Sequence, residues 1–336
     1  MGTLSVLVTG AAGFIGAHTA RALKLAGEEI VAIDSFSNYY STELKDLRVA
    51  GLLAPLGVKV ERCDLSDADL LKKTLVGKNI SSIIHLAAQP GIRLPVERYG
   101  QYVSANIDAY LNVFTWGLKN GIDRITYASS SSVYGNYPKA PFSESFTDIK
   151  PISFYGATKL ANESMAPAII RKSNMKARGL RFFTVYGPWG RPDMAYFRIA
   201  ANLISGKPFN LFGDGDALRD FSYVDDTVKA IIALHSELAT RPAEFHDVVN
   251  TGGGIPRTLA EMINIAETQL GIELQSKKGA KHPSDVERTF ADATYLHSLI
   301  GKVAPTPLEV GMSEVIKWAQ DSNVSSLLPS WTETTV

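Results

Sequence analysis

Several features that would place this 336-residue chain in a specialised class of protein are scarce or missing. Cys63 is the one cysteine, so no disulfide forms within the chain, and we expect it to fill core space in a reducing compartment. No apolar run approaches the ~20 residues that cross a bilayer. The 34 basic and 34 acidic residues balance, which gives no indication of a nucleic-acid or membrane partner.

Targeting signals and internal repeats are missing as well. The N-terminus continues directly into an apolar strand pattern, without the basic region and cleavage site of a secretory signal. We therefore expect a soluble, cytoplasmic protein.

Strand-like and helical patterns alternate through the first half of the chain. The strand-like segments span 4–8, 30–33, 58–62, 81–86, 124–128 and 179–184. This alternation predicts an α/β fold, a Rossmann-type doubly wound parallel sheet with helices on both faces.

Loops rich in Gly and Pro separate shorter elements beyond Tyr186. They predict a smaller C-terminal substrate-binding lobe over the carboxyl edge of the sheet, where ligands of open α/β sheets bind. The expected divisions are an NAD-binding domain of residues 1–184 plus about 220–254, a nucleotide-sugar lobe of 185–219 and 255–325, and a disordered tail of 326–336.

A glycine-rich turn between the first strand and helix is the clearest sign of a ligand site. Its candidate cofactor residues are Gly10, Gly13, Phe14, Ile15 and Gly16. Glycines at these spacings let the backbone turn tightly and bring a helix N-terminus to a pyrophosphate. The second strand ends in Asp34, where a carboxylate binds the adenosine ribose diol and repels a 2′-phosphate. The cofactor is therefore predicted to be NAD.

A further acid, Asp64, follows the third strand and precedes Leu65. Its carboxylate either meets the adenine amino group or caps the helix that begins near Ser66. Both Asp64 and Leu65 are retained as cofactor-site candidates.

Tyr155 and Lys159 lie four residues apart at the start of a predicted helix and so share one face. A lysine ammonium beside a phenol lowers the pKa of the phenol, which makes it a base usable near neutrality. The pair alone also fits an exposed helix surface. However, serines 129–132 follow the strand 124–128 at the edge that carries the glycine turn. A serine, Tyr155 and Lys159 beside a nicotinamide predict a hydride-transfer site.

With these motifs in place, the chain resembles the nucleotide-sugar epimerases of the extended short-chain dehydrogenase/reductase family over roughly residues 4–320. The motifs that carry the resemblance are TGAAGFIG, HLAAQPGIR, ASSSSVYG, YGATK, RFFTVYGPWGRPDM and RDFSYVDD. The resemblance implies a catalytic serine at Ser130. It places Ser131 and Ser132 against the sugar, and it assigns to the cofactor the residues Leu86, Ala87, Ala88 and Phe183.

The segment 184–194 is similar to that of UDP-glucuronate 4-epimerases. An arginine on a rigid Gly/Pro loop suits a planar carboxylate, because its fork donates two parallel hydrogen bonds. We therefore assign Arg191 and Thr184 to the C6 carboxylate of a hexuronate, with pairing to Asp193 as the alternative for Arg191. Arg93 is a candidate for the diphosphate or the carboxylate, or for pairing with an acid such as Glu97.

Three further substrate candidates come from the resemblance. Arg219 matches a diphosphate-binding arginine or forms a structural salt bridge, and Phe212 lines the uracil or belongs to the core. Asp285 matches the acid of a ribose-binding motif. That motif departs from the family pattern here, since Ser284 replaces a glycine and His282 stands where many epimerases have arginine.

The resemblance implies NAD-dependent C4 epimerisation of a UDP-hexuronate, from UDP-glucuronate to UDP-galacturonate, through a transient 4-keto sugar. Ser131 and Ser132 replace the Asp-Glu pair of related dehydratases, and decarboxylases usually have glutamate at the second position. The alternatives are a UDP-glucose or UDP-N-acetylglucosamine 4-epimerase, a UDP-glucuronate decarboxylase and an NAD-binding sensor without activity. No metal site is predicted.

A homodimer is also implied, because family helices at the position of the one starting near Ser153 often form the subunit interface. Pro167 lies within this predicted helix and should kink or end it.

Overall fold

The computed structural model describes residues 4–279 and 286–333. In chain order the strands are β1 (Ser5–Thr9), β2 (Glu29–Asp34), β3 (Val60–Arg62), β4 (Ile80–His85), β5 (Arg124–Ser130), β6 (Lys176–Phe182), β7 (Thr184–Tyr186), β8 (Phe209–Phe212), β9 (Leu218–Tyr223), β10 (His246–Thr251), β11 (Pro256–Thr258), β12 (Ser276–Gly279) and β13 (Arg288–Thr289).

The helices flank and connect these strands. They are α1 (Phe14–Leu25), α2 (Thr42–Leu52), α3 (Ala68–Leu75), α4 (Tyr99–Tyr102), α5 (Ala109–Lys119), α6 (Phe154–Ile170), α7 (Ala195–Ser205), α8 (Val224–Leu238), α9 (Leu259–Leu270), α10 (Thr294–Ile300), α11 (Leu308–Ala319), α12 (Ser322–Ser325) and α13 (Leu328–Glu333). Residues Val103–Asp108 join α4 to α5 as a wider helical turn. Among the described residues, no helix is long and apolar enough to cross a membrane.

Seven parallel strands form the main sheet in the order β10-β6-β5-β4-β1-β2-β3. Strand β1 shows why the sheet is covered on both sides: Leu7 packs into one apolar cluster, and Val6 and Val8 pack into the other. The strand order reverses beside β1, and the crevice at such a reversal is where open α/β sheets bind ligands. The predicted Rossmann-type fold is confirmed.

The smaller lobe contains β7, β9, β11 and β13 in one sheet, and β8 paired with β12 in another. Strand β7 follows β6 after one residue and pairs with β9 instead of the main sheet. This change of partner carries the chain from the main sheet into the lobe, immediately before the segment that holds Arg191.

The C-terminal residues differ from the expected disordered tail. Trp331 on helix α13 is buried, with 1% of its surface exposed. Its indole Nε1 donates to Glu43 Oε2 at 2.9 Å. Leu328 on the same helix is equally buried. The tail prediction is therefore wrong for residues 326–333, because two large apolar side chains supply enough buried surface to order a short helix.

Pro167 does not end helix α6, which continues to Ile170. A proline removes one backbone donor, and here the loss falls in the last turns of a 17-residue helix. Of the two predicted effects of Pro167, an end of the helix is therefore wrong, and a kink stays a prediction. The helix begins as expected, with Ser153 Oγ accepting a hydrogen bond from Gly156 N at 3.0 Å.

Candidate active site

A cleft of about 660 Å³ opens between the carboxyl edge of the main sheet and the smaller lobe. It brings together most of the predicted site residues: Gly10, Gly13, Phe14, Ile15, Gly16, Asp34, Leu86, Ala87, Ala88, Arg93, Ser130, Ser131, Ser132, Tyr155, Lys159, Phe183, Thr184, Arg191, Phe212 and Arg219. This volume is typical of a cavity that encloses a small-molecule ligand.

The glycine turn has the geometry of an anion site. Gly10 has φ +71°, and a Cβ there would lie 2.8 Å from the backbone nitrogen of Ala87. A Cβ at Gly16 would lie 2.0 Å from the carbonyl oxygen of Gly10. Helix α1 starts after Gly13 with no side-chain cap, so its first N–H groups are available to a phosphate. The residues present therefore fit a dinucleotide.

Asp34 stabilises this turn from the end of β2. Its side chain is 7% exposed and accepts from Ala12 N at 3.0 Å and Phe36 N at 2.7 Å. Each carboxylate oxygen has more than one acceptor site, so Asp34 can accept from ribose hydroxyls in addition.

Asp64 and Leu65 are outside the cleft lining. Asp64 Oδ1 accepts from the backbone and hydroxyl of Ser66 at 3.0 and 2.8 Å, while helix α3 begins later and is capped by Asp67. The predicted helix start near Ser66, with Asp64 as its cap, is therefore wrong. Leu65 is 5% exposed and belongs to the core beside Cys63. The cofactor role of both residues stays a prediction.

The three predicted catalytic side chains meet in the cleft. Ser130 ends β5, and Tyr155 and Lys159 lie on the first turns of α6. The Ser130 hydroxyl donates to Ser132 Oγ at 3.1 Å, and it is near enough to the Tyr155 phenol to favour a lower pKa there. Lys159 Nζ donates to the carbonyl of Ala128 at 3.0 Å and lies 5.9 Å from the centre of the Tyr155 ring.

The electrostatics of this group differ from the simple expectation. Burial raises the pKa of Tyr155, and the positive charge of Arg191 and the Ser130 hydrogen bond oppose that rise. Burial also lowers the pKa of Lys159 to about 8, against the influence of Glu163. The expected net lowering of the phenol pKa is thus absent, because desolvation outweighs the charge of Arg191 and the contact with Ser130.

Arg191 forms the pair that was the alternative to a substrate role. Its Nε donates to Asp193 Oδ1 at 3.0 Å, and its Nη2 donates to Asp193 Oδ2. The Tyr39 hydroxyl donates to the same carboxylate at 3.4 Å. Arg191 still lines the cleft and acts on the Tyr155 phenol through its charge. The pair fixes the guanidinium at the site, and its carboxylate contact stays a prediction.

The remaining substrate candidates lie toward the lobe. The Arg93 guanidinium stands 5.7 Å from the centre of the Phe212 ring. Phe212 is 45% exposed, which excludes the core role that was its alternative. Arg219 Nη1 donates to the carbonyl of Leu218 at 2.9 Å, so its side chain follows the rim of the cleft. Asp285 lies outside the described residues, as do the departures at His282 and Ser284.

Comparison with known proteins identifies the family. Residues 6–252 match the NAD dependent epimerase/dehydratase family. The chain belongs to this family. UDP-glucuronate 4-epimerase 5 of Arabidopsis thaliana is 38% identical over 331 residues, which cover 94% of this chain and 76% of the plant protein. Membership confirms the predicted enzyme class and NAD as the cofactor.

Solved structures agree with this assignment. The UDP-glucuronic acid 4-epimerase from Bacillus cereus, in complex with UDP-glucuronic acid and NAD, is 30% identical with a TM-score of 0.84, covering 94% of this chain and 98% of that one. MoeE5 in complex with UDP-glucuronic acid and NAD is 34% identical with a TM-score of 0.80, covering 95% and 99%.

This epimerase/dehydratase also has a buried support that the sequence analysis missed. Arg181 on β6 donates to both oxygens of Glu163 at 2.9 and 2.7 Å, and Ser129 Oγ donates to Glu163 Oε1 at 2.5 Å. Glu163 lies one turn beyond Lys159 on α6. The four-residue spacing from Lys159 was the available signal, but without the fold nothing linked this glutamate to Arg181.

Proposed function

We propose that the chain is an NAD-dependent 4-epimerase that interconverts UDP-glucuronate and UDP-galacturonate. The observation that carries the proposal is one cleft that holds the glycine turn, the three catalytic side chains and Arg191. Ser131 and Ser132 line the same cleft where a dehydratase would need an acid and a base. The relatives that bind UDP-glucuronic acid and NAD support this choice of substrate.

The chemistry at C4 needs a proton acceptor and a holder of the reacting oxygen. When bound, NAD accepts a hydride from C4 and returns it. Tyr155 removes the proton of the 4-hydroxyl, and Ser130 hydrogen-bonds that oxygen. Since burial raises the pKa of Tyr155, the phenolate needs positive charge close by. Arg191 supplies it, and we assign the same role to Lys159, whose Nζ lies 5.9 Å from the centre of the Tyr155 ring. The 4-keto sugar then rotates and presents its other face to the nicotinamide. Tyr155 returns the proton, and the configuration at C4 is inverted.

The substrate carboxylate needs its own anchor. A 4-keto hexuronate is a β-keto acid, which loses carbon dioxide when its carboxylate bond aligns with the carbonyl π system. Asp193 occupies Nε and Nη2 of Arg191, so the Nη1 group and the Thr184 hydroxyl are the donors we assign to the carboxylate. Held by these donors, the bond stays out of alignment and the carbon is retained.

The test is an incubation of the purified protein with UDP-glucuronate and no added cofactor, followed by NMR. We expect UDP-galacturonate to form with NAD that the protein retains. UDP-pentose with release of carbon dioxide would replace the proposal with a decarboxylase. Faster conversion of UDP-glucose or UDP-N-acetylglucosamine would indicate a neutral-hexose epimerase. Retained NAD with none of these products would indicate a cofactor-binding sensor.

We further propose a cytoplasmic homodimer that forms through the helical segments 99–119 and 154–170. Val103, Leu111 and Phe154 on these segments are 40%, 41% and 37% exposed, and exposed apolar side chains mark protein interfaces. Light scattering should give twice the chain mass of 36.4 kDa. Leu111→Glu should give the monomer mass; a wild-type monomer would refute the interface.

A further inference from the structure

Arg48, on helix α2, is a buried cation whose guanidinium contacts no carboxylate directly in the described part of the chain. Its side chain is 0% exposed, and its guanidinium donates to four neutral oxygens. Within the described part of the chain it takes part in no ion pair. Burial of a charge is costly unless a counter-charge is close, so an anion bound near this position gains from the charge of Arg48.

One arm of the guanidinium supports the cofactor turn. Arg48 Nη1 donates to the carbonyl of Ala12 at 2.6 Å, and Ala12 lies between Gly10 and Gly13 in the turn. Ala12 is held through both of its backbone polar groups, since its N–H donates to Asp34 Oδ2 at 3.0 Å. A pyrophosphate at the N-terminus of α1 would bring two negative charges to the side of this turn opposite Arg48.

The other two arms hold the loop that carries Arg191. Arg48 Nε donates to the carbonyl of Trp189 at 2.9 Å, and Nη2 donates to that of Gly190 at 3.1 Å. The preceding carbonyl, of Pro188, lies 3.1 Å from Nε2 of His18 on α1. Three successive carbonyls before Arg191 are therefore fixed by helices of the dinucleotide-binding half.

The local backbone indicates that this contact is built and not incidental. Trp189 has φ +62°, a left-handed conformation that is unfavourable for a bulky residue unless its surroundings hold it. Helix α2 makes room for the indole with Gly51, where a Cβ would lie 3.0 Å from the Trp189 ring. One face of α2 thus supplies both the donor and the space for this loop.

We infer that Arg48 is a positioning residue that couples the two ligands of the cleft. Its charge complements the pyrophosphate of NAD across Ala12, and its planar fork fixes residues 188–190 so that Arg191 faces the sugar nucleotide. Because both functions reside in one guanidinium, the two ligands should bind with positive coupling. The substrate half of this inference rests on the proposed function, whereas the NAD half does not.

Two substitutions separate the charge from the fork. Arg48→Gln removes the charge, and we expect the Kd for NAD to rise about tenfold or more, with less NAD retained through purification. Arg48→Lys keeps the charge but offers one nitrogen in place of the fork. It should hold the Kd for NAD within about threefold of wild type and raise the KM for UDP-glucuronate about tenfold, with kcat changed less.

A third variant loosens the loop without any change at Arg48. Burial lowers the pKa of His18 to about 4, so the ring is neutral at pH 7 and donates to Pro188 as an uncharged group. His18→Leu should raise the KM for UDP-glucuronate and leave the Kd for NAD unchanged. Arg21→Gln, on the exposed side of the same helix, is the control that removes one positive charge and should change neither constant.

Calorimetry of NAD binding and of UDP-glucuronate binding, with and without the other ligand, measures the coupling directly. If Arg48→Gln folds and binds NAD with the affinity of the wild type, the inference that the charge of Arg48 favours NAD binding is overturned. If that variant does not fold, Arg48→Lys and His18→Leu decide, and an unchanged KM in both would overturn the loop role. Failure of the proposed function would appear differently, as tight NAD binding with no binding of UDP-glucuronate by the wild type.

Discussion

Glu163→Gln tests how much the buried support beneath the catalytic side chains contributes. The side chains of Glu163 and Arg181 are 6% and 5% exposed, and the neutral amide would leave the guanidinium charge without its counter-ion. Loss of one partner of such a pair costs about 3–5 kcal/mol. Urea denaturation should therefore show a free energy of unfolding lower by about 3 kcal/mol or more, with the slope unchanged.

The same substitution should move the pH profile of activity. Glu163 opposes the burial that lowers the pKa of Lys159 to about 8, so its loss lowers that pKa further. Since Lys159 must stay charged to favour the phenolate, the alkaline limb of kcat should shift to lower pH. A purely structural role would reduce stability and leave this limb in place.

Glu237→Gln is the matched control for Glu163→Gln. Glu237 also pairs with a buried arginine, Arg178, but that guanidinium keeps Asp247 at 2.7 and 2.8 Å. Glu237→Gln should therefore lower the free energy of unfolding by less than half as much as Glu163→Gln. Equal losses of stability in the two variants would refute the reasoning from an unpaired charge.

The remaining predictions concern the cleft itself. Tyr155→Phe should lower kcat by about 10²–10⁴ and keep NAD, measured by turnover and by cofactor content. Arg191→Ala should raise the KM for UDP-glucuronate or release UDP-pentose, seen by NMR; unchanged, clean epimerisation would remove the carboxylate assignment. Lys159→Met should abolish turnover. It should also raise the free energy of unfolding at pH 7 by about 1–3 kcal/mol in urea denaturation. The reason is that burial lowers the pKa of Lys159 from about 10.4 in the unfolded chain to about 8 in the folded one, so at pH 7 the folded state carries the full cost of the buried charge that methionine removes.

The sequence was sufficient where chemistry and spacing are local. The glycine turn and Asp34 follow directly from a strand, a turn and a second strand, and Tyr155 and Lys159 share a helix face because they are four residues apart. These positions need only regular backbone geometry, so the pattern of residue types predicts them without knowledge of the tertiary packing.

Long-range pairing was beyond the sequence. Arg48 and Trp189 are 141 positions apart, and nothing in either local pattern identifies the other. Arg181 lies on β6, and its partner Glu163 lies on α6. Trp331 donates a hydrogen bond to Glu43, which is 288 positions earlier in the chain. Tertiary packing decides these contacts, and it also reversed the expected pKa shift at Tyr155, since burial depends on every neighbour at once.

The cleft therefore combines two kinds of electrostatic design. Burial opposes ionisation of the Tyr155 phenol, while the charge of Arg191 and the neighbouring Ser130 hydroxyl favour it. Arg191 is already paired with Asp193, which lowers the attraction for stray anions and keeps the fork in one orientation. In the proposed function, the substrate carboxylate binds beside this existing pair, through Nη1 and Thr184. That arrangement favours a ligand anchored elsewhere by its diphosphate, and it disfavours a free sugar acid of the same charge.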